Sequence, residues 1–260
     1  MAKGGWAKFP HADKSYVYEG AALKKSWGRL HRGDCEPFPE DGALQEAWRL
    51  YHRGDFGAAI EAGVAAGPAG YNVANKAAAI YATYLEKSGA KRLELLEEAA
   101  ARAEQAMKAY PKSANAYYCH ALALGRYSQG ISVAAALKKG LAGKVKTSLE
   151  KALALAPKHA DAHIALGTWH AEIVSKVGAL VGGVTYGAKK EAAIGHFKQA
   201  LKLNPDSAIG RIEYANALAT LFGDARMAEA EKLYAEAAKC KPADAMERLD
   251  VELARAELED

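Results

Sequence analysis

Histidines at helical spacing, a cysteine beside a histidine and a glycine-rich apolar stretch are the parts of this sequence that could carry chemistry. His159, His163 and His170 fall at i, i+4 and i+11, so one helix would bring them to roughly one face, where imidazoles can ligate zinc. No carboxylate or cysteine at helical spacing completes a ligand set, because Asp161 and Glu172 project elsewhere. The three therefore read as packing histidines, and no metal is expected. Cys119 and His120 are adjacent, and consecutive helical residues diverge by about 100°, so they cannot serve as nucleophile and base for each other. Cys119 reads as a small apolar residue. His-Arg-Gly-Asp occurs twice, at His31–Asp34 and His52–Asp55, and a turn explains the motif better than adhesion does. The stretch Val177–Gly187 holds four glycines among apolar residues but no Gly-Lys-Ser/Thr after a strand, so it is no phosphate cradle. It reads either as a lid over a groove or as a connection packed on a neighbouring repeat. No set of acid, base and nucleophile emerges, and the chain is expected to be neither an enzyme nor a cofactor carrier.

The elements that would position these residues are helices. Alanine supplies much of the apolar content while Val, Ile and Phe are sparse, and alanine loses no side-chain entropy in a helix. β-Branched clusters are short and broken by glycine, as at Val181–Thr185. An internal repeat then organises the 260 residues. Pro111-Lys112-Ser113-Ala114-Asn115-Ala116 aligns with Pro157-Lys158-His159-Ala160-Asp161-Ala162 and with Pro205-Asp206-Ser207-Ala208, with weaker echoes at Pro68 and Pro242. Each proline closes an amphipathic helix such as Phe197–Leu203, because proline cannot continue a helix and pushes its predecessor out of the α region. The Ser, Asp or Asn that follows can cap the next helix. The intervals of about 43, 46, 48 and 37 residues each fit one helical hairpin.

These residues resemble the tetratricopeptide repeat (TPR) family over about 45–242. Ala165-Leu166-Gly167-Thr168-Trp169-His170 matches its Leu-Gly-x-x-Tyr stretch, and Ala193, Phe197, Ala200 and Pro205 match its Ala…Phe…Ala…Pro spacing. Leu149, Ala152 and Pro157 repeat that pattern, and Gly54-Asp55-Phe56 resembles the turn inside a repeat. The intervals exceed the TPR unit of ~34 residues, with the excess near residues 127–143 and 174–188. These inserts, with Ile131-Ser132-Val133 and the Ala160–Trp169 stretch, resemble the TPR-like domain of the regulators of microtubule dynamics and their bacterial relatives. The resemblance implies an all-α, TPR-like α-solenoid of stacked antiparallel helix pairs acting as an adaptor, and no residue specifies a microtubule role. The expected division is an N-terminal cap over 1–42 with a helix from Tyr18 to Arg32, repeats over 43–242, and a capping helix within 243–260, all in one continuous domain.

By the same resemblance, the first helix of each pair lines a concave groove that binds a protein or peptide. Its expected contact residues are Asn72, Asn75, Asn115, Tyr118, Arg126, Thr168 and Asn216, with Asp161, Ile164, Glu172, Ile209 and Ile212 beside them. Asparagines offer donors and acceptors to a peptide backbone, and Arg126 could take a carboxylate. Lys76 is the only lysine well placed, so the two-lysine clamp for chaperone tails is not evident. The alternative reading is a small-ligand or metal-binding protein with residues 177–187 as a lid. The middle is basic, with 13 Lys+Arg against 4 Asp+Glu from Pro111 to Leu203, and Ala243–Asp260 carries 7 acidic to 2 basic residues. This pattern suits an anionic or acidic partner, contact between tail and middle, or equally a simply solvated set of charges. Lysines without interleaved aromatics make nucleic acid an unfavoured partner. There is no run of 18 apolar residues and no apolar signal core near Met1, which points to the cytoplasm, or to the periplasm if a leader has been removed. Cys35, Cys119 and Cys240 are odd in number and widely spaced, so no disulfide framework is expected.

Overall fold

The computed structural model describes residues 5–259, and every regular element among them is helical. Five antiparallel pairs follow one another. The first is α2 (Gly42–Arg53) with α3 (Phe56–Ala65), and the second is α4 (Tyr71–Tyr84) with α5 (Gly89–Ala109). Next come α6 (Ala114–Gln129) with α8 (Leu141–Leu155), and α9 (Ala160–Val177) with α11 (Lys190–Leu203). The fifth is α12 (Ala208–Phe222) with α13 (Met227–Ala237). The inserts are a short helix α7 (Val133–Lys138) within the third pair, and in the fourth a turn, α10 (Ala179–Val181), that runs into a π-helical turn at Gly182–Tyr186. A helix α1 (Ala21–Leu30) precedes the pairs and α14 (Ala245–Glu259) follows them.

The expected punctuation holds with one substitution. Ser113 and Ser207 cap α6 and α12 by accepting the amides of Ala116 and Gly210. At α9 the cap is His159, whose Nδ1 accepts the Ala162 amide, and Asp161 lies inside the helix instead. Gly54, at φ 95°, makes the left-handed turn between α2 and α3 that a Cβ would strain. At Gly167 a Cβ would lie 3.0 Å from the Phe197 ring, so the small residue lets α9 and α11 approach until the fully buried ring fills the gap.

The ends of the solenoid do not stay apart. Trp6 and Phe9 cover the outer face of the first pair, resting where Gly57 and Gly54 lack side chains. The chain then crosses to the concave side as α1, which is shorter than the expected Tyr18–Arg32 helix. There it meets the start of α14. Arg29 pairs with Glu247 at 2.6 Å, the Tyr18 hydroxyl donates to the Ala243 carbonyl at 2.6 Å, and buried His52 and Asp244 lie 2.8 Å apart. The C-terminal helix therefore packs on α12 and α13 and also touches α2, drawing the two ends of the stack together. The acidic tail thus meets the N-terminal part of the chain, and among the described residues none of its carboxylates pairs with a lysine of the middle.

Candidate binding site

The concave groove is partly occupied by the chain itself. After α1, residues 31–36 run along the first helices of the pairs, and the expected contact residues grip them. The Asn115 side-chain amide donates to the Asp34 carbonyl at 2.9 Å and to the Glu36 carboxylate at 2.6 Å. Asn72 donates to the same carboxylate at 3.1 Å, and the Asp161 backbone amide donates to the Gly33 carbonyl at 2.9 Å. The bare Gly33 leaves room for the Asp161 carboxylate, which a Cβ would push aside. His159 fixes the Asn115 amide. With Nδ1 accepting from Ala162, its Nε2 carries the proton and donates to the Asn115 side-chain oxygen at 2.9 Å. Burial holds His159 neutral, its pKa pushed down to about 4.

Asp34 is the polar centre of this segment. It accepts from Lys76 Nζ and from His31 Nδ1, the latter at 2.9 Å, and all three side chains are buried. Burial opposes both charges, but the pairing outweighs it: Asp34 is held well below the usual carboxylate range and Lys76 well above the usual ammonium range. Lys76 is therefore already engaged and cannot serve as a groove lysine for a chaperone tail. The first His-Arg-Gly-Asp copy differs from the second accordingly, since Asp34 is buried and Asp55 exposed. Burial, reinforced by Asp34, raises Glu36 to about 7, and burial raises Asp161 to about 6 against the pull of Lys76.

What remains of the groove is an open cavity of about 400 Å³ lined by residues of α1, α4, α6, α7, α8, α9, α12 and α14. Of the expected residues, Tyr118, Arg126 and Thr168 line it, as do Asp161, Ile164, Glu172 and Ile209. Arg126 faces Glu213 at 3.1 Å, and Thr168 donates to the same carboxylate at 3.1 Å. Asn216 lies in a shallower depression beside Arg126 and Thr168 and accepts from the Tyr234 hydroxyl. Asn75 faces away from the groove. It is buried against α5, where its oxygen accepts from Arg102 at 3.0 Å, so its place as a groove contact is corrected. Ile212 likewise belongs to the core beneath α13 and α14.

The sequence reading missed Tyr84, Met246 and Asp250, which also line the cavity. Only the acidic character of the tail hinted that α14 would be placed here. The lid is corrected as well. Val177 reaches the cavity, but residues 178–187 do not line it. They fold back on α9, with Gly182 against Ile173 and Val177, while Lys146 donates to the Tyr186 carbonyl at 2.9 Å. The wall is completed by the other insert, through Ile131, Val133 and Leu137. Val133 and Leu137 are half-exposed, so they mark the mouth. His163 and His196 bring their Nδ1 atoms to 2.9 Å and His170 stacks on His196, whereas His159 is the polar cap of α9 and not a packing residue. Among the described residues no group of three or more His, Cys, Asp or Glu could hold a metal ion.

Residues 70–259 match the family model described as Regulator of microtubule dynamics protein 1-3. The chain belongs to that family. As a member, it carries the long TPR-like repeats and α14 within the matched region, while α1 and the groove-filling segment 31–36 precede it. The fold is similar to that of a solved thermophilic TPR protein from Thermus thermophilus, with a TM-score of 0.58 at 20% identity over 84% of this chain and 100% of that one. No curated protein matches significantly. No described helix is long and apolar enough to cross a membrane.

Proposed function

We propose that the protein is a non-enzymatic binding module that holds a compact, amphipathic guest in the cavity, in place of an extended peptide laid along the whole groove. The observation that carries this reading is the occupied groove. Asn72 and Asn115, the best candidates for gripping a foreign backbone, already hold residues 34–36. The space left is about 400 Å³, within the roughly 300–1,000 Å³ of small-molecule sites, with an apolar wall and a few convergent polar groups. Gly125 provides the test. It lines the cavity on helix α6, and a Cβ there would meet nothing within 4 Å. Gly125→Leu should take up part of the cavity and raise the melting temperature, since glycine in a helix costs ~0.5–1 kcal/mol relative to alanine. Titration calorimetry with n-octanol should give saturable one-to-one binding to the native chain and clearly weaker binding to G125L. Equal binding by both would sink the assignment.

A second reading, an acidic protein partner, is favoured by one observation. Leu180 and Val184 on the glycine-rich turn are 81% and 82% exposed, and Lys176 and Lys189 lie nearby in the chain. A partner that covers them should slow amide exchange over 178–187 when bound. Unchanged exchange there would remove this surface from consideration.

A further inference from the structure

The charges facing the cavity do not balance, and the imbalance has a sign. Each cation that lines it is already paired. Lys76 is held by Asp34, Arg126 by Glu213 at 3.1 Å, and Lys176 by Glu172 at 2.8 Å. Glu247, which also lines the space, is held from outside it by Arg29 at 2.6 Å. Two carboxylates are left over. Asp161 has only the far side of Lys76, at 3.7 Å, whose nearer contact is Asp34. Asp250 is buried on α14 and forms no ion pair among the described residues; its hydrogen-bond partner is the Tyr84 hydroxyl, at 2.5 Å.

We infer that the guest of this cavity is an organic cation: an ammonium group on a compact apolar body, its charge seated at Asp250 beside Tyr84 and its body against the wall formed by α7, α8 and α9. This rests on the reading of the cavity as the binding site. An anionic guest would find no unpaired cation in the cavity and would face Asp161 as well. An inorganic cation is disfavoured because the described carboxylates do not converge into a ligand set and most of the wall is apolar. An ammonium ion can use a lone carboxylate, and Tyr84 and Tyr118, aromatic side chains of the kind that attract cations, also line the space.

The proton balance follows. Burial raises Asp250 to about 8, with Glu247 and Asp244 on its own side adding to the shift, while Tyr84 from α4 and Arg126 from α6 oppose it. Glu213 on α12 faces Arg126. Without a guest Asp250 is therefore largely a neutral acid at neutral pH. A bound ammonium replaces that proton: Asp250–COOH and R–NH₃⁺ become an ion pair, and one proton passes to water. Affinity for a permanently charged guest should then rise by up to about tenfold per pH unit below the pKa of Asp250 and level off above it.

The test compares three probes of similar shape, n-octylamine, n-octanol and octanoate, by calorimetry on the full chain at pH 7. The expected order is octylammonium tightest, octanol weaker and octanoate unbound. Asp250→Asn keeps an acceptor for Tyr84, and it should weaken octylammonium by about tenfold or more while leaving octanol unchanged, which also shows that the variant is folded. The n-octylamine complex should release a proton, read as a dependence of the binding heat on buffer ionisation enthalpy. Octanol binding as tightly as octylamine, or an unaltered amine affinity in D250N, overturns the cation while leaving the cavity in place. Tighter binding of octanoate than of octylamine also overturns it. Failure of all three probes overturns the cavity reading together with it.

Discussion

Lys76 and Asp34 show what a single buried pair decides in this chain. Lys76 stands on the concave face of α4 as the repeat pattern implies, but its partner lies 42 residues away in a segment with no repeat signal. Nothing in the periodicity links the two, because a loop that crosses the groove has no periodicity of its own. Replacing Lys76 by Met leaves Asp34 buried without its cation, which typically costs about 3–5 kcal/mol. Adding Asp34→Asn should restore much of that loss, because the uncompensated charge goes with it. Denaturant unfolding of the two variants checks both statements, and equal stability of the single and double variants would show that Asp34 is not the burden. Asn75 teaches the complementary lesson. Its position in the helix is readable, but it stands one residue, about 100° around the helix, from the groove-facing Lys76, which sends it to Arg102 on α5 and not to the groove.

At the scale of elements, the α9–α11 pair was the most legible. Gly167, Ala193, Phe197 and Ala200 occupy the spacing of small and large residues that two closely packed helices require, and Phe197 is fully buried against Gly167. Phe197→Ala should cost about 3–5 kcal/mol, by transfer and cavity terms together, and Phe197→Leu clearly less; thermal unfolding distinguishes them. The interval excess places both inserts, but the glycine-rich one forms no lid, and the other, to which no role could be read, borders the cavity. Glycines at 178, 182, 183 and 187 signalled a loop without signalling which way it folds, and two of them adopt positive φ as they turn it back on α9. The α7 segment, carrying only an ordinary Ser132 cap and two half-exposed apolar residues, is the one at the cavity mouth.

At the scale of the whole molecule, the stack was evident in the sequence and its closure was not. Closure depends on Arg29–Glu247, His52–Asp244 and Tyr84–Asp250, pairs separated by more than half the chain, and no local pattern encodes such pairs. The buried network also makes stability depend on pH. Glu36, Asp161 and Asp250 keep their protons up to about 7, 6 and 8, above the ordinary carboxyl range, so between about 6 and 8 the folded chain binds more protons than the unfolded one. Stability should fall as pH rises through that window. His31, His159 and His170 are held neutral down to about 4 by burial. At these histidines the unfolded chain binds more protons between about 4 and 6.5, but over most of that range the three carboxyls bind about as many extra in the folded chain, so the two contributions nearly cancel there. Melting temperature against pH is expected to be nearly level between about 5 and 6 and to fall above that, and Glu36→Gln should flatten the alkaline limb. A stability that keeps rising to pH 8 would contradict the assignment of these carboxyls.

On the proposed function, the chain's own segment 31–36 stays in the groove while a compact guest enters the cavity beside it. Amide hydrogen exchange with and without saturating n-octanol tests this most directly. The expected result is added protection in α4, α6, α9 and α14, with residues 31–36 as protected as in the free protein. Loss of protection in 31–36 on guest binding would mean that the guest displaces the segment, and would contradict the account.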